Sequence, residues 1–306
     1  MKQFNKKILI TVLALLVSIS TMAGATFAWF SMNTQVKLAT VNVISTAPSN
    51  MVISPDAEDG HWYSGVVTET NVIGGFTPVS TTDGRIFFAL SDTTNLYSFG
   101  GRVNEDGLSI DSSGRVVKSD AVAFHEVEEQ LDDGNHYYAC FPLYIKASKD
   151  LHTTEDLKVY LTNFKVESDD PNLKIDNVIR VSITEVAERN QKVSLRQVGS
   201  DSVVTSSAVV PAGSSGTNIY KTDSSAVYPI ESVGSGGVAI LSATDPAITL
   251  PNLETPCFTL DYTGEEYTAI IVRIWLEGQH TDCINEIQGK TVTVSLGWKV
   301  GNVVGE

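Results

Sequence analysis

The run HEVEE at His125 to Glu129 is where this chain comes nearest to a catalytic spacing. A zinc-protease helix needs two imidazoles one turn apart, with a glutamate beside the first as general base. Glu129 stands where the second imidazole belongs, so the run reads as a solvated acidic helix face. Three acidic stretches, Asp56 to Gly60, Asn104 to Gly107 and Ser168 to Asp170, could offer oxygens to calcium. None has the alternating ligand positions and distal glutamate of an EF-hand loop, and they read as polar turns. His61, His125, His136, His152 and His280 are scattered, and no serine sits in a G-x-S-x-G elbow. Catalysis, a bound metal and a cofactor are therefore not expected. His61-Trp62-Tyr63 and Trp275 could stack on sugar rings, and they equally suit core packing.

Three cysteines cannot make a disulfide framework in a chain of 306 residues. Cys140 lies in an apolar strand pattern and reads as a buried small hydrophobe. Cys257 and Cys283 flank a strand pair and form the one candidate bridge.

The elements that would carry these residues are strands, because the apolar period is two nearly everywhere. Tyr137, Ala139, Phe141, Leu143, Ile145 and Ala147 share one face, as do Val292, Val294, Leu296, Trp298 and Val300. Ile270, Val272, Ile274 and Leu276 point inward, with Arg273, Trp275 and Glu277 opposite; Ile179, Val181 and Ile183 repeat the pattern. The phase shift in LKVYLTNFKV predicts a bulge near Thr162-Asn163. Asp83-Gly84, Asp106-Gly107 and Ser113-Gly114 predict hairpin turns. The best helical candidate is Ala121 to Leu131.

The expected fold is all-β: an antiparallel two-sheet sandwich of jelly-roll type, with at most one or two short helices. The sandwich would span residues 29–196 and 248–306, and the Ser-, Gly- and Thr-rich residues 197–247 would form an inserted excursion.

Lys2, Lys6 and Lys7, the apolar run Ile8 to Ile19 and the small residues through Ala28 make a signal-peptide pattern over residues 1–28. Cuts after Ala25 and after Ala28 both fit, and an uncleaved membrane anchor is the alternative. Loss of the three lysines takes the formal charge from −15 to −18, an acidity that excludes nucleic acid as a partner. The sequence ends at GNVVGE without an LPxTG motif, so a sortase-type anchor is not expected.

From Phe30 onward, Phe30, Met32, Thr34, Val36 and Leu38 alternate with Trp29, Ser31, Asn33, Gln35 and Lys37, which is an amphipathic strand. A leader running through Gly24-Ala25-Thr26-Phe27-Ala28-Trp29-Phe30-Ser31 into an acidic all-β domain resembles the TasA/camelysin family of secreted Gram-positive proteins. The likeness covers Gly24 to about Val43, and Ile271 to Val300 looks like a final hairpin of related secreted proteins. The resemblance implies a fibre subunit of the biofilm matrix, cut between Ala28 and Trp29. Its mature N-terminal strand, Trp29 to Leu38 with Trp29, Phe30, Met32, Thr34, Val36 and Leu38 as named positions, would insert into a neighbouring subunit. Self-association into oligomers or fibres is the expected partnership, alongside other matrix or cell-wall components. Camelysin members are also described as metalloproteases, and without zinc-ligand spacing that activity is not carried over. The expectation is thus a secreted, non-enzymatic structural protein of the cell surface or extracellular matrix. The alternative is a monomeric carbohydrate-binding or adhesion module.

Overall fold

The computed structural model describes residues 38–46, 50–64, 68–92, 108–110, 116–119, 122–127, 137–148, 155–193, 195–197, 206–208, 216–234, 239–251, 253–280, 282–283, 287 and 290–301. The first strands are β1 (Leu38–Thr46), β2 (Met51–Ser54), β3 (Thr68–Phe76), β4 (Phe87–Asp92), β5 (Leu108–Ile110), β6 (Val116–Ser119) and β7 (Val122–Val127). There follow β8 (Tyr138–Ala147), β9 (Leu157–Ser168), the helical turn α1 (Ile175–Val178), β10 (Ile179–Glu185), β11 (Leu195–Gln197), β12 (Ser206–Ala208) and β13 (Thr217–Lys221). The chain continues through β14 (Ile230–Val233), β15 (Ala239–Leu241), β16 (Ile248–Thr249), β17 (Phe258–Leu260), β18 (Thr268–Leu276) and β19 (Thr291–Gly301).

Two large sheets organise the molecule. Sheet I has the order β17-β9-β19-β1-β3, and sheet II the order β16-β13-β10-β18-β8-β2. The chain passes repeatedly from one sheet to the other, so residues distant in sequence meet in one core. The inward faces of both sheets supply it: Phe141, Leu143, Val181, Ile183, Val272 and Ile274 from sheet II pack in the same cluster as Val159, Leu161, Phe258, Val294, Leu296 and Trp298 from sheet I. Each fully buried side chain of this size contributes roughly 1.5–3 kcal/mol before ordering entropy is subtracted.

The sheets are mixed, which corrects the antiparallel expectation. β1 runs parallel to β19 with Val43 opposite Val294, and β13 runs parallel to β16 with Tyr220 opposite Ile248. Alternating apolarity fixes which face a residue takes but is blind to strand direction, and parallel pairing requires only a long connection. Nearly the whole chain separates β1 from β19.

The bulge lies where the phase shift placed it. Gly297 pairs with Asn163 and Trp298 with Leu161, so Thr162 is the extra residue, and its Oγ1 donates to the Gly297 carbonyl at 3.2 Å. Trp298 Nε1 donates to Ser45 Oγ at 2.8 Å, joining β19 to β1 by side chains as well as by backbone. At the Asp83-Gly84 turn, Asp83 Oδ1 accepts the N–H groups of Arg85 and Ile86 at 2.8 and 2.9 Å, and Gly84 takes φ +65°. Ser80 and Phe88 bridge across that turn.

Within the helix expected at Ala121 to Leu131, the described residues Val122–Val127 form the strand β7, antiparallel to β4 with Leu90 opposite Phe124. Val122 and Phe124 alternate at period two, and so short a segment without caps has little helical stability of its own. Thr217 to Lys221, within the Ser/Gly-rich stretch, forms β13 beside β10 and sends Tyr220 into the main core.

Sheet II is covered on its outer face too. Phe87 of β4 stacks on Tyr138 at 4.1 Å between ring centroids and meets Trp275 edge-on at 5.2 Å, within a second cluster that includes Val79, Val127, Cys140, Val186 and Ile271. Cys140 is thus buried on the face opposite Phe141 and Leu143.

Candidate functional site

Residues 1–28, including Ala28 at the expected cut, lie outside the described residues, as do Trp29, Phe30, Met32, Thr34 and Val36. Leu38, the last of the expected donor positions, opens β1 and pairs with Phe76 of β3. β1 is therefore an internal strand of its own sheet. β3 is the terminal strand of sheet I; it pairs with β1 on one side, through Thr68 to Ile73 and Phe76, and with no strand on the other among the described residues. At the far end, β17 covers β9 only from Leu157 to Val159. An edge of this length presents a row of backbone donors and acceptors that a further strand can satisfy.

A second feature was hidden in the sequence. Arg180 and Glu277, on strand faces that alternation assigns to solvent, are only 2% and 3% exposed and belong to a buried ionic cluster on the outer side of sheet II. Arg180 Nη2 faces Asp223 Oδ1 at 3.3 Å, off the hydrogen-bond line, while Asp223 Oδ2 meets His280 Nε2 at 3.2 Å. Arg180 Nη1 also donates to the carbonyls of Asn177 and Ile179. Glu277 Oε2 accepts Trp275 Nε1–H at 3.3 Å and Oε1 accepts the Gln279 N–H at 3.1 Å. Lys221 Nζ, at the end of β13, lies 2.6 Å from Asp245 Oδ2.

Burial governs how these groups hold protons. It pushes Glu277 up to about 7, against the opposing pull of Ser80 and Arg180. It lowers His280, although Asp223 opposes the shift, and it lowers Arg180. Burial also acts to raise Asp223, but Ser225, Arg180 and His280 outweigh it and hold that carboxyl below its usual range. Arg180 lies against Asp223 and Lys221 against Asp245, so each buried basic side chain has an acidic partner beside it, the arrangement under which buried ionisable groups are tolerated.

The candidate disulfide is not formed: all three cysteines are buried thiols. Cys257 Sγ lies 2.9 Å from Tyr220 Oη and accepts the Leu161 N–H at 3.2 Å, contacts that anchor it in the main core. Burial raises its thiol to about 11, and raises Cys283 as well. Of the acidic stretches, Asn104 to Gly107 lies outside the described residues, and the other two are tied by side-chain partners. Asp56 Oδ2 meets His61 Nδ1 at 2.7 Å, Glu58 pairs with Lys192, and Asp170 pairs with Lys290 at 3.0 Å. Among the described residues, no three His, Cys, Asp or Glu side chains converge as a metal site, and no helix is long and apolar enough to cross a membrane. Of the aromatics considered for sugar stacking, Trp275 is 1% exposed, Trp62 packs on Tyr267 with Lys146 Nζ 4.2 Å from its ring centroid, and Tyr63 is 42% exposed.

Comparison with known proteins finds no matching family model, no matching curated protein and no matching solved structure.

Proposed function

We propose that this is a secreted, non-enzymatic structural protein of the cell surface or extracellular matrix, whose subunits join by β-strand addition. The observation that carries the proposal is β3, a nine-residue terminal strand with no outer neighbour among the described residues. An extended segment added there gains backbone hydrogen bonds along its length, and alternate side chains set the register. The donor is Trp29 to Lys37 of a neighbouring copy, after cleavage between Ala28 and Trp29; Leu38, expected to share that role, is already paired with Phe76 in its own sheet. Burying Phe30, Met32 and Val36 contributes on the order of 1.5–3 kcal/mol each, before the entropy of ordering the segment is subtracted. The core shared by two sheets favours a jelly-roll type of sandwich as the finer description. The burial of Trp275 weighs against the carbohydrate-binding alternative, which needs rings open to solvent.

Electron microscopy of full-length secreted protein tests the proposal. Fibres or linear oligomers are expected for the wild type, and Phe30→Asp or Val36→Asp should abolish them. Ser31→Asp, on the opposite face of the strand, should leave them intact. Discrete single particles of wild type at every concentration would refute strand-mediated assembly.

A further inference from the structure

We propose that Lys221 and Asp245 condense into an intramolecular amide, Nζ bonded to Cγ, with release of one water. Lys221 Nζ lies 2.6 Å from Asp245 Oδ2, and the two side chains are 5% and 11% exposed. Lys221 ends β13, Asp245 lies just before β16, and the two strands pair in parallel with Lys221 opposite Thr249. The sheet itself therefore holds the amine against the carboxyl. Fixed proximity of this kind supplies the effective concentration that two freely diffusing groups lack.

Both side chains are nearly withdrawn from water, so little solvent competes with the amine for the carboxyl. One proton first passes from Nζ to Oδ2. The neutral amine then attacks Cγ: the Nζ–Cγ bond forms, the Cγ–Oδ2 bond breaks, and Oδ2 leaves as water with a proton taken from Nζ. No oxidant, reductant or nucleotide enters this balance. Glu277 lines the same water-sized cavity as Asp245.

The surroundings suit the product. Oδ1 goes on accepting the Ala247 N–H at 2.9 Å, and the amide N–H goes on donating to the Ser225 carbonyl at 2.6 Å. Only the Val227 N–H, now 3.0 Å from Oδ2, gives up its acceptor. Asp245 precedes Pro246, which has no N–H to attack the aspartyl carboxyl, so competing closure to a succinimide is blocked here. The bond would close residues 222–244 into a covalent loop at their root on sheet II, insensitive to salt and pH.

Peptide mapping of the intact chain tests this. An amide at Lys221 blocks trypsin there, so the denatured, digested wild type is expected to yield one fragment from Gln197 to Arg273, lighter than its sequence by one water. Asp245→Asn should give that fragment lighter by one ammonia, and Lys221→Arg should give only sequence masses. Recovery of separate wild-type peptides 197–221 and 222–273 at sequence mass would overturn the proposal and leave an ion pair in its place.

Discussion

Replacing Glu277 with glutamine should reverse the sign of its effect on stability between acid and alkaline solution. Burial raises this carboxyl from 4.5 to about 7 in the folded protein. The folded state therefore binds more protons than the unfolded chain between those values, and stability falls as pH rises through the window. At about 1.4 kcal/mol per unit, the full loss above pH 7 is about 3 kcal/mol. Glutamine removes that loss, but one of the two acceptor oxygens that serve Trp275 Nε1 and the Gln279 N–H becomes a donor amide, a sacrifice of about 1 kcal/mol. Glu277→Gln should accordingly be less stable than wild type by about 1 kcal/mol near pH 4.5 and more stable by about 2 kcal/mol near pH 8. His280 and Asp223 titrate in both proteins, so the difference between the two urea unfolding curves isolates Glu277. A difference that stays constant across that range would refute the reasoning, because it would mean that Glu277 holds the same charge in the folded and unfolded states.

Three further outcomes follow from the packing. Ser45→Ala leaves Trp298 Nε1–H without its acceptor in the core and should cost about 1–3 kcal/mol by chemical denaturation, while Ser45→Thr, which keeps a hydroxyl, should cost less. Gly84→Ala forces a side chain into positive φ with its Cβ 2.6 Å from Ser182 Cβ, and a loss of about 2 kcal/mol or more is expected in the same assay. Cys140, Cys257 and Cys283 should all resist alkylation in the native protein and react together in denaturant; mass spectrometry of the labelled chain checks this, and an unlabelled pair after denaturation without reductant would reveal a disulfide.

The core strands were legible because each carries one apolar face at period two: the expected inward residues of β8, β10, β18 and β19 meet in a single core, except Tyr137, just before β8, which packs against the second cluster. The bulge at Thr162 was legible for the same reason, since a break in phase is a break in register. The outer face of sheet II was not. Arg180, Ser182 and Thr184 in β10, with Arg273 and Glu277 in and after β18, look solvent-facing because alternation reports polarity rather than exposure. Their burial depends on β4, β7 and the segments around Val227 to Pro229 and Asp245 to Ala247 lying over the sheet, and no local pattern encodes that. The ionic cluster was missed for this reason, since its members come from β10, β13, the loops around Asp223 and Asp245, and the segment after β18. The parallel placement of β1 beside β19 was likewise invisible, because direction is set by the route of the chain.

Sedimentation velocity on two forms of the protein, one beginning at Trp29 and the other at Leu38, tests the central claim most directly. The shorter form keeps the whole of β1 and should remain folded and monomeric, while the longer form should shift to larger species as its concentration rises. A synthetic Trp29 to Lys37 peptide should bind the shorter form and suppress assembly of the longer one. If instead the longer form stays monomeric and the shorter form unfolds, the segment serves its own fold and strand addition between subunits is wrong.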